Sequence, residues 1–585
     1  MKTAKKLFIP ALAGILCFTS ACTDGFDELN KNPLNPPYVA GQNPNNPGEQ
    51  PTGEYADIDM PLKVSDAELN ALKDNVNGIG AIFKSFTYEG LVDDYQRTTN
   101  LTHDIYCGYF ANNNPGFINS SPNYIYTEDW SGRRWNHFYK KRSAEYKMLA
   151  RTFRYVDREM YKNAFYITRI YYAFLASTMT DTYGDMPFLP LIKGLELEKE
   201  AKYDSQKDIY DKLFRMLTQA VDSIQPGASA FKFNPADDKC YGGNEDKWVR
   251  FANTLRLRLA LRIANIDPVR AKKEGEAALA HPAGLMRDQS DRMRTVPNYA
   301  PKSMGGEDAG GQENEVANCS FRYVDVVMAK DMELAYKNQG TVVDPRLEIS
   351  WFRPTPMDRL IRGAENKRND FKGCEIGDNR IYRASDVYSV LRVNHWEPKD
   401  MLRNDCWFGY SREFIWFGYA ESRFLLAEAA LRGWDGAVGT PLELFKDGVR
   451  ESMKYYHIAG LKAEAYLNGL NIFTGTAPNP FETNNKEGML EQIITQKWLA
   501  IFPNGNEAWA EFRRTDYPRL LNHKDNRDAN IPMGKFIKRI QYPFSEFAYN
   551  PLNVPANVNQ STRLWWDVAD TNDANGVRNT PNNFR

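Results

Sequence analysis

The chain has 585 residues, of which 42% are hydrophobic and 25% charged, a balance that suits a folded globular protein and excludes a disordered, collagenous or multi-span membrane chain. Its 74 basic and 75 acidic side chains give a net charge of -1, which argues against a nucleic-acid partner because phosphate binding needs concentrated basic surface. Aromatic residues reach 13%, with 12 Trp, 32 Tyr and 32 Phe, which leaves rings for recognition beyond those a core needs.

At the N-terminus Lys2, Lys5 and Lys6 precede an apolar run over residues 7–18, too short to span a bilayer, and residues 1–21 read as an export signal. The run ends in Thr19-Ser20-Ala21-Cys22, which resembles a bacterial lipoprotein cleavage site with Cys22 as the acylated residue, although Thr19 stands where an aliphatic residue is usual. The membrane would then be reached through an N-terminal lipid. Residues 30–53 hold six Asn, six Pro and three Gly, so residues 22–64 are expected to be a tether, with a reach of roughly 70 Å for the Asn/Pro-rich stretch. Asp24, Asp27 and Glu28 beside the anchor resemble the signal that sends Bacteroidetes lipoproteins to the cell surface; a merely solvated acidic tether is the alternative.

From residue 65 to the end a helical period dominates. Ile167, Ile170, Tyr171, Phe174 and Thr178 fall on one helical face, as do Trp248, Phe251, Ala252, Leu255 and Leu259. Further helices are predicted near 136–159, 204–224, 411–432, 441–457, 487–502 and 506–514, joined by turns such as 182–187 and Pro503-Asn504-Gly505. An all-α scaffold of stacked antiparallel helix pairs follows. Two irregular excursions interrupt it, at about 95–130 and 281–410, and long irregular segments usually carry function.

Cys107, Cys240, Cys319, Cys374 and Cys406 are an odd set without a CxxC pair, so neither a disulfide framework nor a zinc site is expected. The six histidines are scattered, and no HExxH, GxSxG, GxxxxGK[ST] or GxGxxG appears; no metal, cofactor or nucleotide is expected. Adjacent acids such as Asp93-Asp94 and Glu128-Asp129 read as solvated pairs, which leaves a surface glycoside hydrolase as a minor alternative.

Several blocks carry a family pattern. They are Phe26-Asp27-Glu28-Leu29-Asn30, Tyr203-Asp204-Ser205-Gln206, Tyr241-Gly242-Gly243-Asn244 with Lys247-Trp248, Asp344-Pro345-Arg346, Glu421-Ser422-Arg423, Gln496-Lys497-Trp498, Glu507-Ala508-Trp509 and Arg513-Arg514-Thr515. Together, in this order up to about residue 555, they resemble the SusD/RagB-like nutrient-binding outer-membrane lipoproteins of the Bacteroidetes. The resemblance implies four tetratricopeptide-like helix pairs, with excursions that bind a nutrient. It further implies a lid over a SusC-like TonB-dependent transporter at the cell surface, with an oligosaccharide, or in some relatives a peptide, as ligand and no chemistry performed.

Sugar recognition needs flat rings and polar groups together. In the first excursion Tyr106, Tyr109, Phe110 and Phe117 lie beside Asn112, Asn113 and Asn114, and the second offers Trp351, Trp396 and Trp407; these seven rings are the expected ligand contacts. Packing in the core or against the transporter is the competing role for each. Trp248, Trp498 and Trp509 fall in helical blocks and read as scaffold, and Arg256, Arg258 and Arg262 as ion-pair partners of carboxylates on the next helix.

Overall fold

The computed structural model describes residues 51–88, 90, 94–198, 200–296, 314–378, 384–394, 408–409, 412–568 and 581–584. The export signal, Cys22, most of the tether, Cys406, Trp396 and Trp407 lie outside them.

At the centre runs the helix Lys162–Tyr183, buried at every residue except Lys162 and Thr178. A helix apolar all round must be covered on all sides. Ser143–Tyr155, Gln206–Ser223, Glu245–Arg262 and Gly505–Thr515 supply the cover. Arg169, which interrupts the apolar run, points its guanidinium at the Ile58 carbonyl, 3.3 Å away. From this centre the helices continue in packed neighbours: Glu245–Arg262 on Pro268–Ala280 and on Tyr419–Leu431, then Tyr419–Leu431 on Pro441–Tyr455 and Lys486–Ala500. Their starts are fixed by side chains that satisfy otherwise free backbone N–H groups: Ser205, Asn244 and Asn485 accept such bonds, and Thr440 forms a reciprocal capping box with Glu443.

Three expectations are corrected. The segment expected as helix over 411–432 begins with the strand Phe414–Phe417, and the helix starts only at Tyr419. The tether ends earlier than residue 64: Ile58 and Met60 are fully buried, and Gln219 donates to Asp59 at 2.8 Å. Arg258 and Arg262 find their carboxylates on distant helices. Arg258 forks onto Glu421 at 2.8 and 2.7 Å, and Arg262 reaches Glu507 at 2.6 Å as well as Glu511. Arg256 alone pairs with the next helix, through Glu274.

The two excursions meet. The strand Phe110–Asn112 pairs antiparallel with Val326–Met328, and Gln96 and Asn114 both donate to Asp325, at 2.6 and 2.8 Å. The C-terminal segment packs back onto the scaffold. Trp566 is fully buried and donates to Asp181 at 2.8 Å, while the Asn583 side chain donates to Glu487 at 2.6 Å and to the Thr515 carbonyl at 3.2 Å. Cys107, Cys240, Cys319 and Cys374 are all buried and form no disulfide among the described residues. No helix among the described residues is long and apolar enough to cross a membrane.

Candidate ligand-binding cavity

Most of the rings expected to meet a ligand are used up by the core. Tyr106 is 4% exposed, and Tyr109, Phe110 and Trp351 are 0% exposed. Tyr109 donates to the Trp498 carbonyl and packs 4.9 Å from the Trp498 ring, Phe110 lies 5.5 Å from Trp351, and both Tyr109 and Trp351 pack on Phe502. Tyr106 lies 5.2 Å from Trp509 and donates to the Ser121 carbonyl. These four are corrected to core positions: they fasten the excursions to the scaffold, and their faces are covered by other rings. Trp396 and Trp407 fall outside the described residues.

Phe117 differs. It stays half-exposed, edge-on to Trp130 at 5.1 Å, and the Arg97 guanidinium lies 5.9 Å from the Trp130 ring. Nearby Tyr126 packs 5.1 Å from the exposed Phe544. Glu128, one of the adjacent acids, is taken up locally: it accepts from the Tyr126 hydroxyl at 2.6 Å and from the Phe544 backbone at 2.8 Å.

A cavity of about 480 Å³ opens where the second excursion meets the scaffold. This is the size of a small-ligand site. One wall is the strand pair Met293–Thr295 and Phe414–Phe417, in which Thr295 opposes Phe414 and Met293 opposes Phe417. Along the second strand Phe414 and Trp416 share a side, as the two-residue period requires; their rings stand 4.4 Å apart and are buried against Tyr95 and Phe174, on the side away from Glu413 and Ile415. Trp416 is pinned from two directions: its indole N–H donates to the Thr295 hydroxyl, and its carbonyl accepts from Asn504 at 2.9 Å. The remaining walls are Tyr419 at the start of one scaffold helix, Lys454 and Tyr455 at the end of another, and the turn 501–504 that leads into Gly505–Thr515.

Charge is concentrated at the strand pair. Arg292 donates through Nε to one oxygen of Glu413 and Arg294 through Nη1 to the other, both at 2.6 Å. Gln289, also in the wall, donates to Glu451 at 2.9 Å. Partial burial pushes the Tyr419 hydroxyl above its ordinary range, Arg423 opposing and Glu451 adding to the shift, so it stays a neutral donor. Among the described residues no group of three His, Cys, Asp or Glu side chains could hold a metal ion. The arrangement offers rings, amides and guanidinia for contact, which suits binding.

The sequence missed this cavity. Phe414, Trp416, Tyr419, Tyr455, Arg292, Arg294 and Glu413 come from three distant stretches, and the local sign, the aromatic alternation Phe414-Ile415-Trp416, falls inside the segment 411–432 that the sequence predicts as helix.

A family model described as SusD-like, Susd and RagB outer membrane lipoprotein, matches residues 61–567. Among solved structures, a chitin-binding SusD homolog from Flavobacterium johnsoniae is 26% identical, with 85% of this chain and 98% of that one covered and a TM-score of 0.66. SusD homologs from Bacteroides uniformis and Parabacteroides distasonis are each 25% identical with a TM-score of 0.68, over 84% of this chain and 99% and 98% of theirs. These structures share the tetratricopeptide-like helical fold seen here. No curated protein matches the sequence.

Proposed function

Because the chain belongs to the SusD-like family of outer-membrane lipoproteins, we propose that it is a cell-surface lipoprotein, acylated at Cys22, that captures an oligosaccharide and passes it to a SusC-like TonB-dependent transporter. It performs no chemistry on what it binds. The observation that carries the reading is the cavity of about 480 Å³, lined by the half-buried Tyr419 and Tyr455 and by side chains that donate and accept hydrogen bonds. Rings cover the apolar C–H faces of a sugar, and amide, hydroxyl and guanidinium groups replace the water lost by its hydroxyls. The chitin-binding homolog supports a glycan as the ligand class. The half-exposed Phe117 and Trp130 form a second surface on which a longer chain could rest.

The test is calorimetric titration of the protein lacking residues 1–21 with chito-, xylo-, malto- and galacturono-oligosaccharides, followed by mass analysis of the ligand. Saturable binding of one glycan class with the ligand intact is expected, and Tyr455→Ala should weaken it about tenfold while leaving the melting temperature unchanged, as for loss of one stacking ring. Cleaved ligand, or silence toward every saccharide, would sink the reading.

A further inference from the structure

We propose that the cavity is built for an acidic oligosaccharide, one bearing a carboxylate or sulfate, in preference to a neutral one. The proposal rests on the capture reading above and narrows it. Two guanidinia, Arg292 and Arg294, share one carboxylate, Glu413, each taking a single oxygen at 2.6 Å. Among the described residues these three groups leave one positive charge unmatched, while Arg412, also in the lining, has a partner of its own. The other carboxylate of the lining, Glu421, does not offset it, because its charge is engaged behind the wall by Arg258 at 2.7 Å and Lys497 at 3.4 Å. Lys454 also lines the cavity, balanced by Glu451 at 3.5 Å.

The guanidinia keep donors in reserve. Arg292 spends Nε on Glu413 and Nη1 on the Gln289 carbonyl, and Arg294 spends Nη1 on Glu413. Their remaining N–H groups make no hydrogen bond to a described residue, and the side chains are only 22% and 35% exposed. A fork of unspent guanidinium donors in a concave, partly desolvated wall matches a planar carboxylate or a sulfate. A neutral sugar would cover the same charges without matching them, which costs desolvation.

A second observation lies deeper. Asn504, 4% exposed, spends its amide nitrogen on the Trp416 carbonyl, while its Oδ1 is buried without a donor. Asn504 lines the cavity, and a small shift of its side chain would offer this acceptor to a hydroxyl of what fills it. A hydroxyl and an anionic group on one ligand describe an acidic sugar.

Matched pairs are the probes: sialyllactose against lactose, oligogalacturonate against its methyl ester, and a glucuronate-substituted xylo-oligosaccharide against the bare chain, beside neutral chito- and malto-oligosaccharides. In calorimetry on the mature protein at least one acidic member should bind about tenfold or more tightly than its neutral match, the worth of one charge-assisted bond. R292Q/R294Q should abolish that preference, R292K/R294K should keep part of it, and moving from 50 to 500 mM NaCl should weaken the acidic ligand alone. The lysine variant and the salt series hold the test open if the glutamine variant does not fold. Equal binding of acidic and neutral partners, binding of neutral glycans only, or an acidic affinity untouched by R292Q/R294Q would overturn the proposal and leave glycan capture standing. Binding of no saccharide would overturn both.

Discussion

Trp351 and Tyr455 illustrate how differently two rings of similar character are used. Trp351 is fully buried between Phe110 and Phe502, so Trp351→Ala would leave a cavity among rings and cost about 3–5 kcal/mol. Urea denaturation should show that loss, and glycan affinity of the protein that remains folded should be unchanged; an affinity loss without a stability loss would return Trp351 to the ligand surface. Tyr455, half-buried at the cavity, should behave in the opposite way. His523 makes a second residue-scale case. Its Nε2 donates to the Pro122 carbonyl at 2.7 Å and its Nδ1 accepts from the Asp525 backbone at 3.1 Å, which fixes a neutral ring between the first excursion and the C-terminal loops. Burial lowers its pKa from 6.5 to about 4. The unfolded chain therefore takes a proton below pH 6.5 that the folded one refuses, so the contribution is whole above pH 6.5 and is lost as pH falls toward 4. From pH 7 to pH 5 the loss should be about 2 kcal/mol. His523→Gln, whose amide can make both bonds without titrating, should remove that part of the slope in urea midpoints at the two pH values. His103, buried with its pKa depressed by burial, has the same sign and remains in both proteins, so an unchanged slope would refute the assignment to His523.

At the scale of elements, the C-terminal residues 581–584 act as a clasp. Asn583 bonds to Glu487, to the Thr515 carbonyl and to Asn265, and Arg432 and Lys486 lie 5.1 and 5.7 Å from the Phe584 ring, so four scaffold helices or their ends are tied by one short segment. Ending the chain at residue 580 should cost about 2 kcal/mol, the worth of two or three buried hydrogen bonds, with the helical circular dichroism at 20 °C unchanged; an unchanged melting temperature would mean the segment only rests there. Nothing in its composition announced this, because Asn-rich segments look the same whether they pack or trail. The long helices were legible for the reason that made them necessary. Residues 441–457 show a 3.6-residue apolar period because that helix presents one stripe to neighbours, while 165–178 and 248–259 were legible through long apolar stretches that the observed helices bury almost all round. The strand Phe414–Phe417 was not legible, since four residues are too few to separate a period of two from an aromatic helix face. For the site, sequence placed rings in the excursions, and Phe117 kept an open face while Tyr106, Tyr109, Phe110 and Trp351 did not. Composition cannot distinguish a ring that binds a ligand from one that fastens a loop, because both call for the same apolar area.

Stacked helix pairs interact mainly with their neighbours, and such arrays can come apart piecewise. This molecule carries a bond network that opposes it. Asp181 of the central helix, Arg258 and Arg262 of Glu245–Arg262, Glu421 and Glu428 of Tyr419–Leu431, Lys497 of Lys486–Ala500, and Glu507, Glu511 and Arg514 of Gly505–Thr515 form one contiguous set of ion pairs. All are nearly or wholly buried. Burial alone would push Glu511 up, but Arg514, Lys497 and Arg262 together hold it well below 4.5, and Glu507 and Glu428 are also lowered against burial by their cations, whereas at Glu421 and Asp181 burial wins and the carboxyls are raised. For carboxylates depressed in the folded state, stability is present above the unfolded value and drains away as pH falls through the folded one, so acid unfolding should set in below about pH 4.5. Because the set spans five helices, losing one member leaves buried partners unmatched in several of them at once. Glu507→Gln removes the charge facing both Arg262 and Lys497 and should cost about 3–5 kcal/mol, as should Arg262→Met, while the double variant should cost less than their sum because it no longer strands that pair. Urea curves followed by helical circular dichroism and by tryptophan fluorescence should coincide in the wild-type protein, as expected if the five helices unfold together. Separate transitions by the two probes, or purely additive costs in the cycle, would show that the helix pairs hold themselves up individually and that the buried charges are passengers.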